Sequence, residues 1–119
     1  MKQDGKLEQR TILLVEGDEP TRKMLGKILE AEGFKLLLAD TSQRAIEVTK
    51  ESEHPIGLCI VNFDIPEMSG ALLAAELRKN QPTMKFLFTI DGDHGWPIIQ
   101  KPFPPSVLIT KILQVFSST

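Results

Sequence analysis

Four short apolar runs constrain this chain more than any other feature. Thr11-Ile12-Leu13-Leu14-Val15, residues 34–39, Leu58-Cys59-Ile60-Val61 and residues 85–90 lack the in-out polar alternation of a strand with one wet face. Runs of that kind fit strands buried on both sides, and helix-length stretches separate them. Strand, helix, strand in steady succession implies parallel pairing through right-handed crossovers, with helices on both faces of the sheet. The expected fold is a doubly wound α/β sheet.

Turn chemistry sets the boundaries. Glu16-Gly17-Asp18-Glu19-Pro20 ends the first run, with a proline suited to a first helical position. The helix that follows should bury Met24, Leu25, Ile28 and Leu29 on one stripe and stop at Gly33. Thr41 or Ser42 can cap a second helix that turns Ala45, Ile46 and Thr49 inward, closed off by Pro55 and Gly57. Ser69 can cap a third helix with Leu72, Leu73 and Leu77 as its buried face, ended by Asn80-Gln81-Pro82. A final helix over 105–116 should bury Val107, Leu108, Ile112 and Val115. Residues 1–10 read as a flexible lead, 11–116 as one domain and 117–119 as a frayed tail.

The rhythm breaks after Ile90. Residues 91–96 are too few for a helix with its loops, since a whole crossover takes at least about ten residues. Asp91-Gly92 is a hairpin signal, and would make a last strand over 96–100 antiparallel. Six extended residues nevertheless reach roughly 20 Å, enough to return beside a strand of about five residues, so a parallel crossover without a helix also fits.

Composition excludes several classes. The net charge of −2 and the scattered Lys2, Lys6, Arg22, Lys23, Lys35, Arg78 and Lys79 form no basic stripe for a nucleic acid backbone. The lead contains no apolar segment of signal or anchor type, so no membrane association and a cytoplasmic location are expected. The single cysteine, Cys59, sits in an apolar run and fits a core position in a reducing compartment. There is no G-x-G-x-x-G or Walker lysine, and His54 and His94 have no serine or cysteine partner recognisable from the sequence. Asp91-Gly92-Asp93-His94 lacks the further ligands of a calcium loop.

Sites in open α/β sheets lie at the carboxyl ends of the strands. The third run ends there in Asn62 with Asp64 two residues on, followed by Pro66-Glu67-Met68-Ser69-Gly70. Together with Glu16-Gly17-Asp18-Glu19-Pro20 after the first strand and Lys101-Pro102-Phe103 before the last helix, these landmarks resemble the receiver domain of two-component response regulators. The resemblance covers 11–116. It implies a flavodoxin-like five-stranded sheet of order 2-1-3-4-5. In this chain the fourth helix of that fold, between strands four and five, would be missing or reduced to a turn.

The resemblance also implies a site, and this chain departs from it. Family receivers accept a phosphoryl group on an aspartate four residues before the loop proline, which is Asn62 here. An amide oxygen is neutral and cannot form an acyl phosphate. The acidic pair that holds Mg²⁺ falls on Glu16 and Gly17, with Asp18 a possible substitute, and Asp64 falls where the family offers a backbone carbonyl to the metal. Weak or no Mg²⁺ binding is therefore expected, and no other cofactor. Ile90 stands at the position of the switch hydroxyl, with Thr89 one place earlier and so on the other face; a shift of one residue would restore the hydroxyl. Lys101 is retained, and could pair with Glu16, Asp18 or the Asn62 amide oxygen without any phosphate.

These residues point to a receiver-like, pseudo-receiver domain that is not phosphorylated, has no catalysis of its own and binds a protein partner such as a histidine kinase or an output domain. A working phosphoacceptor with an unusual site, and a dimerising or structural domain of a longer signalling protein, are the alternatives. Loss of the fourth helix would leave Phe88, Ile90, Trp96 and Ile98 less covered, which would suit a partner or a homodimer.

Overall fold

The structure, a computed structural model, describes residues 10–62, 68–90, 98–100 and 105–117. Five strands, β1 (Thr11–Val15), β2 (Lys35–Ala39), β3 (Leu58–Asn62), β4 (Lys85–Ile90) and β5 (Ile98–Gln100), alternate with helices α1 (Glu19–Ala31), α2 (Ser42–Glu51), α3 (Gly70–Asn80) and α4 (Pro105–Ser117). The sheet order is β2-β1-β3-β4-β5, and every neighbouring pair is parallel.

Strand periodicity divides the core into two layers. Leu13, Val15, Cys59, Val61 and Phe86 pack with Ala45 and Val48 of α2 and with Leu73, Ala74 and Leu77 of α3. The intervening Ile12, Leu14, Leu58, Ile60 and Leu87 pack on the other side with Leu25 and Leu29 of α1 and Leu108 and Ile112 of α4. Both faces are thus covered, as the unbroken apolar runs require. Cys59 is fully buried, and burial pushes its thiol pKa up, which keeps it an unreactive core group.

The caps expected at Thr41 and Ser69 form, their side chains accepting the backbone N–H groups of Arg44 and Leu72. Asp18, not singled out as a cap in the sequence, caps α1 in the same way by accepting the Thr21 N–H. Gly33 ends α1 with φ of 93°, a left-handed conformation that glycine adopts without a Cβ penalty.

The buried helical stripes are narrower than the sequence suggests. Met24 and Leu72 are about half exposed and Val107 is 37% exposed, while their neighbours Leu25, Leu73 and Leu108 are fully buried. Adjacent residues stand about 100° apart on a helix, so a helix lying flat on a sheet buries one of each pair. Close contact fixes which: a Cβ on Gly26 would stand 3.2 Å from Leu36 Cδ2, so α1 meets β2 along the side that carries Gly26 and turns Met24 away.

The last strand corrects the hairpin reading. β5 is parallel to β4, with Phe88, Thr89 and Ile90 opposite Ile98, Ile99 and Gln100. A local Asp-Gly signal does not decide strand direction when the linking chain is long enough to return. The described strand begins at Ile98; Trp96 and the expected loss of a helix over 91–97 lie outside the described residues.

A polar network closes the amino end of the sheet. Buried Gln81 accepts the Ile56 N–H on Oε1 at 3.1 Å and donates from Nε2 to the Thr49 carbonyl at 3.3 Å, while Asn80 donates to Thr49 Oγ1 at 3.1 Å. Gln81→Ala leaves the Ile56 N–H unpaired in the core and should cost about 2 kcal/mol. Thermal unfolding followed by circular dichroism should show a drop of roughly 8 °C in Tm.

Candidate functional site

The carboxyl ends of β1, β3 and β4 meet at one place, and the register decides which side chains meet there. Asn62 is the last residue of β3, and its partner on β4 is Thr89. Strand alternation puts Asn62 in phase with Leu58 and Ile60, and Thr89 in phase with Leu87, all on the α1 and α4 side of the sheet. Glu16, one residue past β1, follows Ile12 and Leu14 in the same phase. Of the two positions considered for a hydroxyl, the register therefore brings Thr89 beside Asn62; Ile90 is one residue on and pairs through its backbone with Gln100. Thr89 is 1% exposed, Glu16 is 3% exposed and Asn62 is half-buried.

The loop between β1 and α1 commits most of its polar atoms internally. Glu16 donates its N–H to the Ala39 carbonyl at 3.0 Å, which ties it to the end of β2. Glu16 Oε2 accepts the Asp18 N–H at 3.1 Å. Asp18 is the N-cap of α1, with Oδ2 accepting from both the N–H and the hydroxyl of Thr21. Gly17 is exposed and its φ is not positive, so a side chain is permitted there; among the described residues a Cβ would meet the Asp40 carbonyl oxygen, at 3.4 Å.

One residue was missed by the sequence reading. Arg22, in the first turns of α1, donates from Nη1 to the Glu16 carbonyl at 2.9 Å and to the Gly17 carbonyl at 3.5 Å. Its guanidinium clamps the loop that carries the strand-end acid. The available signal was its position four residues after the Asp18 cap, one helical turn on, from which a long side chain reaches back over the loop. Asp64, Pro66 and Lys101 lie outside the described residues.

A magnesium site needs hard oxygen donors in near-octahedral array, with at least one or two carboxylates free to bind. The described strand ends supply one buried carboxylate, Glu16, already engaged by a backbone N–H, beside a glycine and an amide. Asp18 is occupied as a helix cap. Among the described residues no three His, Cys, Asp or Glu side chains are grouped to hold a metal. The carboxylates among the described residues are therefore fewer than Mg²⁺ requires.

The comparisons agree with this geometry at the level of fold and family. Residues 12–113 match the family model described as the response regulator receiver domain. The chain is 27% identical over 116 residues to the sensor kinase CckA of Brucella abortus, covering 88% of this chain and 12% of that protein. It is 25% identical over 118 residues to the transcriptional regulatory protein SrrA of Staphylococcus aureus, covering 91% of this chain and 48% of that one. The chain thus spans half or less of the length of these curated relatives. A response regulator receiver protein from Sinorhizobium medicae superposes with a TM-score of 0.80 at 24% identity, over 94% of this chain and 98% of that one, which shows the shared fold. A five-stranded sheet of order β2-β1-β3-β4-β5 whose sequence matches that model from β1 into α4 leaves one assignment: this chain belongs to the response regulator receiver domain family of two-component systems.

Proposed function

We propose that this domain is a receiver that does not accept a phosphoryl group and works through protein contact alone. The observation that carries the reading is Asn62 at the end of β3, where a receiver needs its acceptor carboxylate. Phosphoryl transfer to a side chain requires an anionic oxygen nucleophile, and an amide supplies none. The neighbourhood supports the same reading: Gly17 offers no carboxylate, Glu16 is bonded to the Asp18 N–H, and Arg22 holds the loop closed. The buried Thr89 hydroxyl opposite Asn62 is then a structural remnant that packs against the strand ends.

The domain acts without catalysis of its own, in the cytoplasm, and its partner is a histidine kinase or an output domain in a two-component pathway. No helix among the described residues is long and apolar enough to cross a membrane. The similarity to a sensor kinase and to a transcriptional regulator supports a signalling partner of this kind.

The second reading, a working receiver with an unusual site, draws on the retention of Thr89 and Glu16 at the strand ends. One experiment separates the two. Incubation with Mg²⁺ and acetyl phosphate should leave the intact mass unchanged, and fluoroberyllate should leave the fluorescence of Trp96 unchanged. An acid-labile adduct of phosphoryl mass would overturn the proposal.

A further inference from the structure

We propose that the amino ends of the strands form a second binding site, for a small anion that carries a phosphate or carboxylate head on an apolar body. A cleft of about 870 Å³ opens there, at the other end of the sheet from Asn62 and Thr89, and its volume is within the range of small-molecule sites. Its base is the rim of the sheet. Lys35 donates its N–H to the Arg10 carbonyl at 3.0 Å, Gly57 to Thr11 at 2.9 Å and Lys85 to Gly57 at 3.0 Å, which ties the strand starts into one ledge. Phe34, Leu36, Leu37 and Phe116 supply apolar walls.

Charge chooses the ligand. Arg10, Lys35 and Lys85 line the cleft against one carboxylate, Glu30, in a chain whose net charge is −2. The Arg10 guanidinium lies 4.2 Å from the centre of the Phe116 ring. That ring is itself held by Phe34, with centroids 6.1 Å apart, and by Gly57, where a Cβ would stand 3.1 Å from Phe116 Cε1. Stacking fixes the guanidinium plane and leaves its N–H edge for an acceptor, in the fork geometry that suits phosphate and carboxylate. Neither Arg10 nor Lys35 makes an ion pair among the described residues. Lys85 donates from Nζ to the Val115 carbonyl at 3.1 Å, so it adds charge at the back of the cleft. Strand alternation sends Arg10 to the α4 side of the sheet and Lys35 to the α2 side. The head group therefore sits over the rim, between two cations that reach it from either side, and the body lies against the apolar walls.

The test titrates the full chain with naphthyl phosphate, read by calorimetry and by amide chemical shifts. The probe should bind with a Kd of about 100 µM and shift the amides of Arg10, Lys35, Gly57 and Phe116 most. Inorganic phosphate and naphthol, the head and the body alone, should each bind at least about 10-fold more weakly. Arg10→Gln should weaken binding about 10-fold and Lys35→Gln about 3-fold, whereas Glu30→Gln, which removes the opposing charge, should tighten it about 3-fold. The gain at Glu30 keeps the test decisive should a substitution at Arg10 loosen the fold. Vesicles of phosphatidylcholine with phosphatidic acid distinguish the two sources of such a head: sedimentation with them that Arg10→Gln abolishes assigns the site to a lipid head, and naphthyl phosphate binding without sedimentation assigns it to a free anion. No binding of naphthyl phosphate up to about 5 mM overturns the proposal. So does binding that Arg10→Gln leaves unchanged, or an acidic peptide that binds where naphthyl phosphate does not.

Discussion

Gly17→Asp combined with Asn62→Asp should give this domain Mg²⁺ affinity in the millimolar range, worth about −4 kcal/mol of binding, in a calorimetric titration where the wild type should give no binding heat. The backbone permits both changes. Gly17 has no positive φ, and a Cβ there would make only an ordinary contact with the Asp40 carbonyl oxygen at 3.4 Å. Asn62→Asp exchanges an amide nitrogen for an oxygen of nearly the same size at a half-buried strand end. Two new carboxylates beside Glu16 would supply the hard, anionic donors that Mg²⁺ requires and the wild-type strand ends lack. Either substitution alone should do much less, because a hydrated divalent ion gives up water only to a sufficient set of anionic oxygens. Thermal unfolding gives an independent reading: without Mg²⁺ the double variant should be less stable than wild type through carboxylate repulsion, and added Mg²⁺ should reverse the loss. Absence of any Mg²⁺ response in a folded double variant would mean that the strand ends do not converge as described.

What the sequence disclosed about this site follows from the range of the forces involved. The apolar runs, the caps at Thr41 and Ser69 and the stop at Gly33 depend on neighbours within a few residues, and the structure forms each of them. The departures at Gly17 and Asn62 are chemical identities, visible in the letters themselves. The position of Thr89 is different in kind. Counting along one strand cannot fix its end to a single residue, whereas pairing with β3 does, and that pairing sets Thr89 opposite Asn62. The direction of β5 was likewise undecidable from a local Asp-Gly turn signal, because sheet direction is set by where the chain is received and not by how it leaves. Arg22 was hidden for the same reason: its contact with the Glu16 and Gly17 carbonyls exists only once α1 has folded back beside the end of β1.

The same distinction predicts unequal costs at two adjacent leucines. Leu72 and Leu73 read alike in the sequence, yet Leu72 is 56% exposed and Leu73 is fully buried against the β3 and β4 face. Leu73→Ala removes a side chain from a layer that includes Cys59, Val61, Ala74, Leu77 and Phe86. The lost transfer energy and the cavity left behind should together cost about 3 kcal/mol. For a domain of this size that is a fall of roughly 12 °C in Tm. Leu72→Ala gives up only a partly exposed side chain, and alanine's higher helix propensity offsets a few tenths of a kcal/mol, so its cost should stay within about 0.5 kcal/mol. The backbone N–H of Leu72 still reaches Ser69 Oγ at 3.1 Å, so the helix cap survives the change. Paired denaturant curves on the two variants measure the difference directly. Equal destabilisation by the two would mean that α3 lies on the sheet with its axis rotated towards Leu72, and with it the Ser69 cap that launches the helix from the loop after β3.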